Sequence, residues 1–96
     1  ALNYAKIAKE KIPDDPGVMD TLGWIYYKKG LNESAIHELK ESVEKKPDNA
    51  TIRYHLGMAY LKSGDKARAK THLEKALNLD DKFENADEVN KILSEM

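Results

Sequence analysis

Cysteine is absent from this chain of 96 residues, which excludes a disulfide framework and thiolate metal sites. No apolar run approaches the roughly 20 residues that a membrane-spanning helix requires. The chain also lacks a strong charge of either sign, because its formal net charge is −1 at pH 7. Such a balance provides no overall field to attract nucleic acid or an anionic membrane surface. We therefore expect no nucleic-acid partner and no membrane insertion by this segment.

The short motifs of phosphate-binding loops, dinucleotide-binding folds, serine hydrolases and zinc proteases are missing as well. The three histidines, His37, His55 and His72, lie too far apart in the sequence to share one helical turn. Carboxylates are plentiful, but acid–base catalysis needs them in a closed pocket, which a small helical array does not provide. We expect no catalytic, cofactor-binding or metal site and interpret the chain as a non-enzyme.

What the chain does have is a repeat of 34 residues. Gly23 and Gly57 are separated by this distance, as are Gly30 and Gly64. Further identical pairs at this spacing include Pro13 and Pro47, Leu22 and Leu56, Tyr26 and Tyr60, Lys28 and Lys62, Ala35 and Ala69, and Leu39 and Leu73. This many matches at a single offset indicate one structural unit that is present twice.

Within each unit the apolar residues recur at helical spacing. Gly30 can end the first helix because it tolerates a positive φ, and Asn32 can cap the second; Asp65 is the corresponding cap of the next unit. The pattern predicts no strand, and helices near 2–12, 17–29, 33–46, 51–63, 66–79 and 84–95. The first of these helices would bury Leu2, Ala5, Ala8 and Ile12, and the last would bury Ala86, Val89, Leu93 and Met96.

Gly23 and Gly57 stand inside predicted helices, where glycine costs about 1 kcal/mol relative to alanine. Close approach of the second helix of the unit would compensate for this cost. We expect the small residues Ala35 and Ala69 to lie opposite these two glycines. Each unit is then predicted to be a tight antiparallel helix pair.

These residues resemble the tetratricopeptide repeat. Its pattern of Leu-Gly, Tyr, a turn Gly, Ala, an apolar residue, Ala and Pro is matched by Leu22-Gly23, Tyr26, Gly30, Ala35, Leu39, Ser42 and Pro47, and again by Leu56-Gly57, Tyr60, Gly64, Ala69, Leu73 and Ala76. The resemblance implies an all-α fold, a right-handed superhelical stack of antiparallel helix pairs. Residues 1–96 would form one domain, comprising a partial repeat at 1–15, two repeats at 16–49 and 50–83, and a capping helix at 84–96.

We expect the chain to be a fragment of a longer array, because residues 1–12 correspond to the second helix of a unit without its first helix. The stretch Asp20-Thr21-Leu22-Gly23-Trp24 resembles the last repeats of long bacterial tetratricopeptide proteins, including lipoproteins of the exosortase (PEP-CTERM) system. The compartment stays open between the cytoplasm and the bacterial cell envelope.

The resemblance implies that the first helix of each unit lines a concave face. Each of these helices has one row of apolar residues that faces the core. On the opposite side we predict the residues that bind a partner: Asp20, Trp24, Tyr27, Lys28, Tyr54, Met58, Leu61 and Lys62. Large apolar side chains away from the core are typical of an interaction site. The alternative is that Trp24 and Met58 pack on each other within the array. Chaperone-binding members of the family hold the C-terminal carboxylate of their ligand with basic and amide side chains. The matching positions of this chain are apolar or acidic, notably Asp20 and Glu88. We therefore expect no ligand that is bound by its terminal carboxylate.

The sequence therefore predicts a scaffold that binds a partner peptide or helix in a concave groove. Homotypic self-assembly, in which copies of the chain pair with one another, is the alternative.

Overall fold

The computed structural model describes residues 2–96, and Ala1, the first residue of the predicted partial repeat, lies outside them. The described residues form six helices and no strand, which confirms the all-helical prediction. The helices are α1 Leu2–Lys11, α2 Pro16–Lys28, α3 Asn32–Lys45, α4 Ala50–Ser63, α5 Lys66–Leu79 and α6 Ala86–Glu95. No helix among these residues is long and apolar enough to cross a membrane.

The helix ends are set by short polar residues and by two glycines. The carboxylate of Asp15 accepts a hydrogen bond from the Val18 amide at the start of α2, and Asn49 serves α4 in the same way. Asp65 caps α5, as predicted. Gly30 and Gly64 have φ of 80° and 94°, and they follow α2 and α4 at the predicted positions.

The prediction that Asn32 caps α3 was wrong. Asn32 is the first residue of that helix, the cap position is taken by Leu31, and no side chain caps the helix there. The side-chain oxygen of Asn32 is buried without a hydrogen-bond partner in the described part of the chain. A capping side chain must precede the helix to reach the free amides of its first turn, and Asn32 lies one residue too late.

Two hydrophobic clusters connect the helices. Helix α2 packs most extensively on α3, and α4 on α5, while α3 and α4 join the two pairs. The first cluster has as its buried members Ala35, Leu39, Val43, Ile52, Leu56, Ala59, Tyr60 and Ala69. The second reaches from α4 to α6 through Ala50, Tyr54, Leu73, Ala76, Phe83, Ala86 and Val89. The array is therefore a stack of helix pairs rather than a bundle around one centre.

The residues that face the helical glycines are leucines, not the alanines we predicted. A methyl group on Gly23 would lie 2.6 Å from Cγ of Leu39, and one on Gly57 would lie 2.8 Å from Cγ and Cδ2 of Leu73. Ala69 approaches Gly57 with its carbonyl oxygen only, at 3.3 Å. A glycine thus makes room for a branched side chain of the partner helix, because a Cβ would occupy the same space.

Both ends of the stack depart from the predicted burial. Ile12 is 53% exposed and Met96 is 42% exposed, so neither belongs to the core stripe of its helix. Both residues lie beyond the last residue of the helix concerned, where the helical period no longer fixes the direction of the side chain. Ala5 and Val89 are buried as predicted.

We expect Gly57→Ala to destabilise the protein, although alanine has the higher helix propensity. The new methyl group would overlap the Leu73 side chain, and overpacking in a filled core costs about 1–3 kcal/mol, against a propensity gain of about 1 kcal/mol. Urea unfolding followed by circular dichroism would measure the difference.

Leu73→Ala provides the matched background, because it removes the two atoms closest to the new methyl group and leaves only the milder contact with the Ala69 carbonyl oxygen at 3.3 Å among those described. In that background Gly57→Ala should become stabilising, and a double-mutant cycle would give the coupling. A Gly57→Ala variant as stable as the parent protein would contradict the expected overlap between the new methyl group and the Leu73 side chain.

Candidate functional site

Helices α2, α4 and α6 present the same repeat position along one side of the stack. Asp20, Tyr54 and Glu88 follow one another at intervals of 34 residues, so each occupies an equivalent place on its helix. Contacts across the helices connect them: Tyr54 donates a hydrogen bond to Glu88, and His55 of α4 contacts Asp20 of α2. We call this surface the α2–α4–α6 face and define it by Asp20, Trp24, Tyr27, Tyr54, His55, Met58 and Glu88.

Trp24 is the centre of an aromatic stack on this face. Its ring lies 4.4 Å from that of Tyr27, with an angle of 6° between the planes, and 4.0 Å from that of His55, at 22°. Two rings cannot lie on the same side of an indole at such distances, so Tyr27 and His55 cover its opposite sides. Both faces of the half-buried Trp24 ring are therefore covered by its neighbours.

His55 joins α4 to α2 by a second interaction as well. Its Nδ1 lies 2.7 Å from Oδ1 of Asp20, and both side chains are largely covered. The carboxylate thereby orients the imidazole ring against Trp24. The predicted residue Asp20 is thus a positioning group on the face, and His55 is a member of the face that the sequence analysis did not identify.

Tyr54 differs from the prediction, which placed it on an exposed stripe. Its side chain is 4% exposed and belongs to the second hydrophobic cluster, where its ring lies 5.8 Å from that of Phe83. The prediction failed because Phe83 and α6 cover this part of α4. The hydroxyl of Tyr54 reaches the carboxylate of Glu88, so this tyrosine connects the core to the surface of the face.

The carboxylate of Glu88 alters the titration of two tyrosines. Burial, followed by the hydrogen bond and negative charge of Glu88, raises the pKa of Tyr54 well above 10. Burial and the same charge raise the pKa of Tyr27. Each effect favours the neutral phenol beside a fixed carboxylate. Glu88 therefore gives this part of the face a negative potential.

The predicted lysines lie at the other end of α2 and α4, in their last turns. Nζ of Lys62 lies 4.7 Å from the centre of the Tyr27 ring and donates a hydrogen bond to the Tyr27 carbonyl. Nζ of Lys28 lies 5.9 Å from the Trp24 ring. Both side chains are exposed and border the aromatic stack, which separates a basic end of the face from its acidic end.

Met58 and Leu61 are half-buried. Met58 packs with Trp24 against the second hydrophobic cluster, and Leu61 packs with Tyr27 against the first. The structure thus brings Asp20, Trp24, Tyr27, Tyr54 and Met58 together, while Leu61 and the two lysines border them. Within residues 2–96 no three His, Cys, Asp or Glu side chains are grouped around a possible metal position.

Glu88 could have been assigned to the face from the sequence. Its separation of 34 residues from Tyr54 places it in register, but the helix that carries it lacks the landmark residues of the repeat. His55 gave no such signal, since the equivalent position of the preceding repeat holds Thr21.

Two family models match this chain. One, described as a TPR repeat, covers residues 23–64, and the other, described as a tetratricopeptide repeat, covers residues 50–83. Together they span residues 23–83, from within α2 to the segment that follows α5. They therefore account for the paired glycines and for the arrangement of α2 to α5.

Several bacterial proteins are similar to the chain. Cellulose synthase operon protein C of Escherichia coli (strain K12) is 41% identical over 64 residues, which make up 67% of this chain and 6% of that protein. The TPR repeat-containing protein PA0015 of Pseudomonas aeruginosa is 40% identical over 48 residues, 50% of this chain and 46% of that protein. The chain thus spans only a small part of the first of these relatives. The closer likeness to exosortase-system lipoproteins stays a prediction.

The raised pKa of Tyr54 predicts a loss of stability at high pH. Below about pH 10 the phenol is neutral in the folded and unfolded chain alike, and above it only the unfolded chain releases the proton until the higher folded pKa is reached. Stability should therefore fall as the pH rises above about 10, and less steeply in Tyr54→Phe.

Urea unfolding at several pH values would measure this slope. Tyr4→Phe is the matched control, because Tyr4 is 80% exposed and should leave the slope unchanged. If stability fell equally steeply with pH in the parent protein and in Tyr54→Phe, the pH dependence could not be attributed to the raised pKa of Tyr54.

Proposed function

This chain belongs to the tetratricopeptide repeat family, and we propose that it binds a peptide or helix of another protein on the α2–α4–α6 face. Repeats of this family generally mediate protein–protein interaction and are typically non-catalytic scaffolds. The observation that carries the proposal is the aromatic stack of Tyr27, Trp24 and His55 on the surface of two adjacent repeats. Aromatic side chains of limited flexibility are frequent anchors of protein interfaces.

The stack also restricts the conformations open to the Trp24 side chain. Trp24 is held from both sides, and the Asp20–His55 contact fixes one of the flanking rings. A side chain that is already ordered loses little conformational entropy when a partner covers it, which favours binding. Met58 and Leu61 extend the apolar surface along α4, and Lys28 and Lys62 form a charged rim.

The relatives support the class of function and no more. Their similarity to this chain extends over repeat units, and the positions that build a helix pair recur in any array of such units. We therefore do not transfer a role in cellulose synthesis. The proposed partner is a protein, recognised by the α2–α4–α6 face with its apolar centre, one acidic end and one basic end.

Trp24→Ala should weaken partner binding at least about tenfold, because truncation of a central aromatic anchor costs about 2 kcal/mol or more. The partner would first be isolated from the native host by its retention on the parent chain. Its affinity would then be measured by calorimetry for both proteins.

Lys28→Ala is the control, since an exposed rim lysine acts mainly on association rate and salt dependence. Circular dichroism must show equal helix content for both variants. Normal binding by folded Trp24→Ala would exclude this face as the site. Loss of binding only in proportion to lost helix would assign Trp24 to packing. Sedimentation over a range of concentrations would reveal self-assembly instead.

We further propose that another helix of the same array covers α1 in the full protein. Tyr4 is 80% exposed and Ile7 is 47% exposed, although both are large and partly apolar. Helices α3 and α5 each pack against the helix before and the helix after them, whereas α1 packs mainly on α2 and reaches α3 through the ion pair of Lys9 with Glu38. A helix pairing with α1 would bury this surface, and in stacked repeats stability is roughly a sum of unit and interface terms.

A chain extended upstream by one helix of its native sequence should therefore melt at a higher temperature than residues 1–96. A helix of the same composition in scrambled order, fused at the same place, is the control. Equal melting temperatures for the native and scrambled extensions would count against the proposal.

A further inference from the structure

Glu88 carries a negative charge that the described residues do not neutralise. Its Oε1 accepts hydrogen bonds from the Tyr54 hydroxyl and from Nδ2 of Asn85, and both donors are neutral groups. No lysine, arginine or histidine nitrogen within residues 2–96 forms an ion pair with it, although Lys91 lies only three residues away. Its second oxygen, Oε2, accepts no hydrogen bond from the same residues.

The surroundings of Glu88 make this charge part of the α2–α4–α6 face. Tyr54, which holds the carboxylate, lies 5.9 Å from Trp24 between ring centres, and the charge is close enough to raise the pKa of Tyr27. A partner lying on the aromatic stack would therefore also come close to the carboxylate. Covering an ionised carboxylate without a counter-charge is unfavourable, because its hydration is lost.

The distribution of charge along the face fixes where a cation can be placed. Lys28 and Lys62 occupy the last turns of α2 and α4, so a basic group is repelled at that end. Asp20 and Glu88 occupy the equivalent repeat position nearer the other end. The acidic end thus attracts a basic group of the partner.

We propose that the segment recognised by this face carries an arginine or lysine whose cationic head binds Glu88. The inference rests on the proposed function and specifies the chemistry of its partner. Oε2 is free to accept a hydrogen bond from the ammonium or from one arm of a guanidinium. The methylene stem of the basic residue lies along the aromatic side chains. The same arrangement orients the partner, because Lys28 and Lys62 repel its basic group from the other end of the face.

The test uses N-acetyl-arginine amide as the probe and N-acetyl-citrulline amide as its uncharged counterpart of nearly equal shape. Trp24 is the only tryptophan, so its indole resonance reports directly on the face. Nuclear magnetic resonance titration of the full chain should give an affinity at least about threefold higher for the arginine compound, with a difference that shrinks as salt is added.

Glu88→Gln separates the charge from its structural role. The amide oxygen can still accept the hydrogen bond from Tyr54, while the negative charge is removed. The preference for the arginine compound should disappear in this variant. Glu95→Gln, which removes an exposed charge at the far end of α6, should retain it.

Equal shifts with both compounds, or none with either, would overturn the inference. So would a preference that survives in Glu88→Gln. With the isolated protein partner, binding that is lost in Trp24→Ala and unchanged in Glu88→Gln would overturn the cation site and leave the proposed function standing. Normal binding by both folded variants would reject the face itself.

Discussion

The close approach of a leucine to a helical glycine is the constraint on which the rest of the structure depends. Leu39 occupies the space beside Gly23, and Leu73 the space beside Gly57. Each contact brings the two helices of a repeat together and fixes their relative position. Because the contact recurs after 34 residues, α4 and α5 repeat the arrangement of α2 and α3, and equivalent surfaces become neighbours along the stack.

The α2–α4–α6 face is a consequence of that repetition. Its interactions link one repeat to the next rather than the helices of one repeat: His55 contacts Asp20, Trp24 stacks on His55, and Tyr54 donates to Glu88. The side chains proposed to bind a partner therefore also hold adjacent repeats in place. Because of this dual role, binding and folding must be measured together.

The face is polar at its ends and apolar in the middle. Lysines border one end of the Trp24 stack, whereas Glu88 and Asp20 lie towards the other. For the proposed partner, the apolar centre would provide affinity, and the opposed charges would favour one orientation of the bound segment. In a chain with a net charge of −1, this separation of charge arises from the placement of a few residues and not from composition.

The sequence by itself determined the helices, their approximate ends and the repeat, because the helical period and the glycine spacing are local properties. It also identified Trp24, Tyr27 and Met58 as members of one surface. Only the tertiary structure decided that leucines rather than alanines face the glycines, that Phe83 and α6 bury Tyr54, and that His55 stacks against Trp24 on the face. Each of these depends on a neighbouring helix, whose distance and rotation no single helical pattern contains.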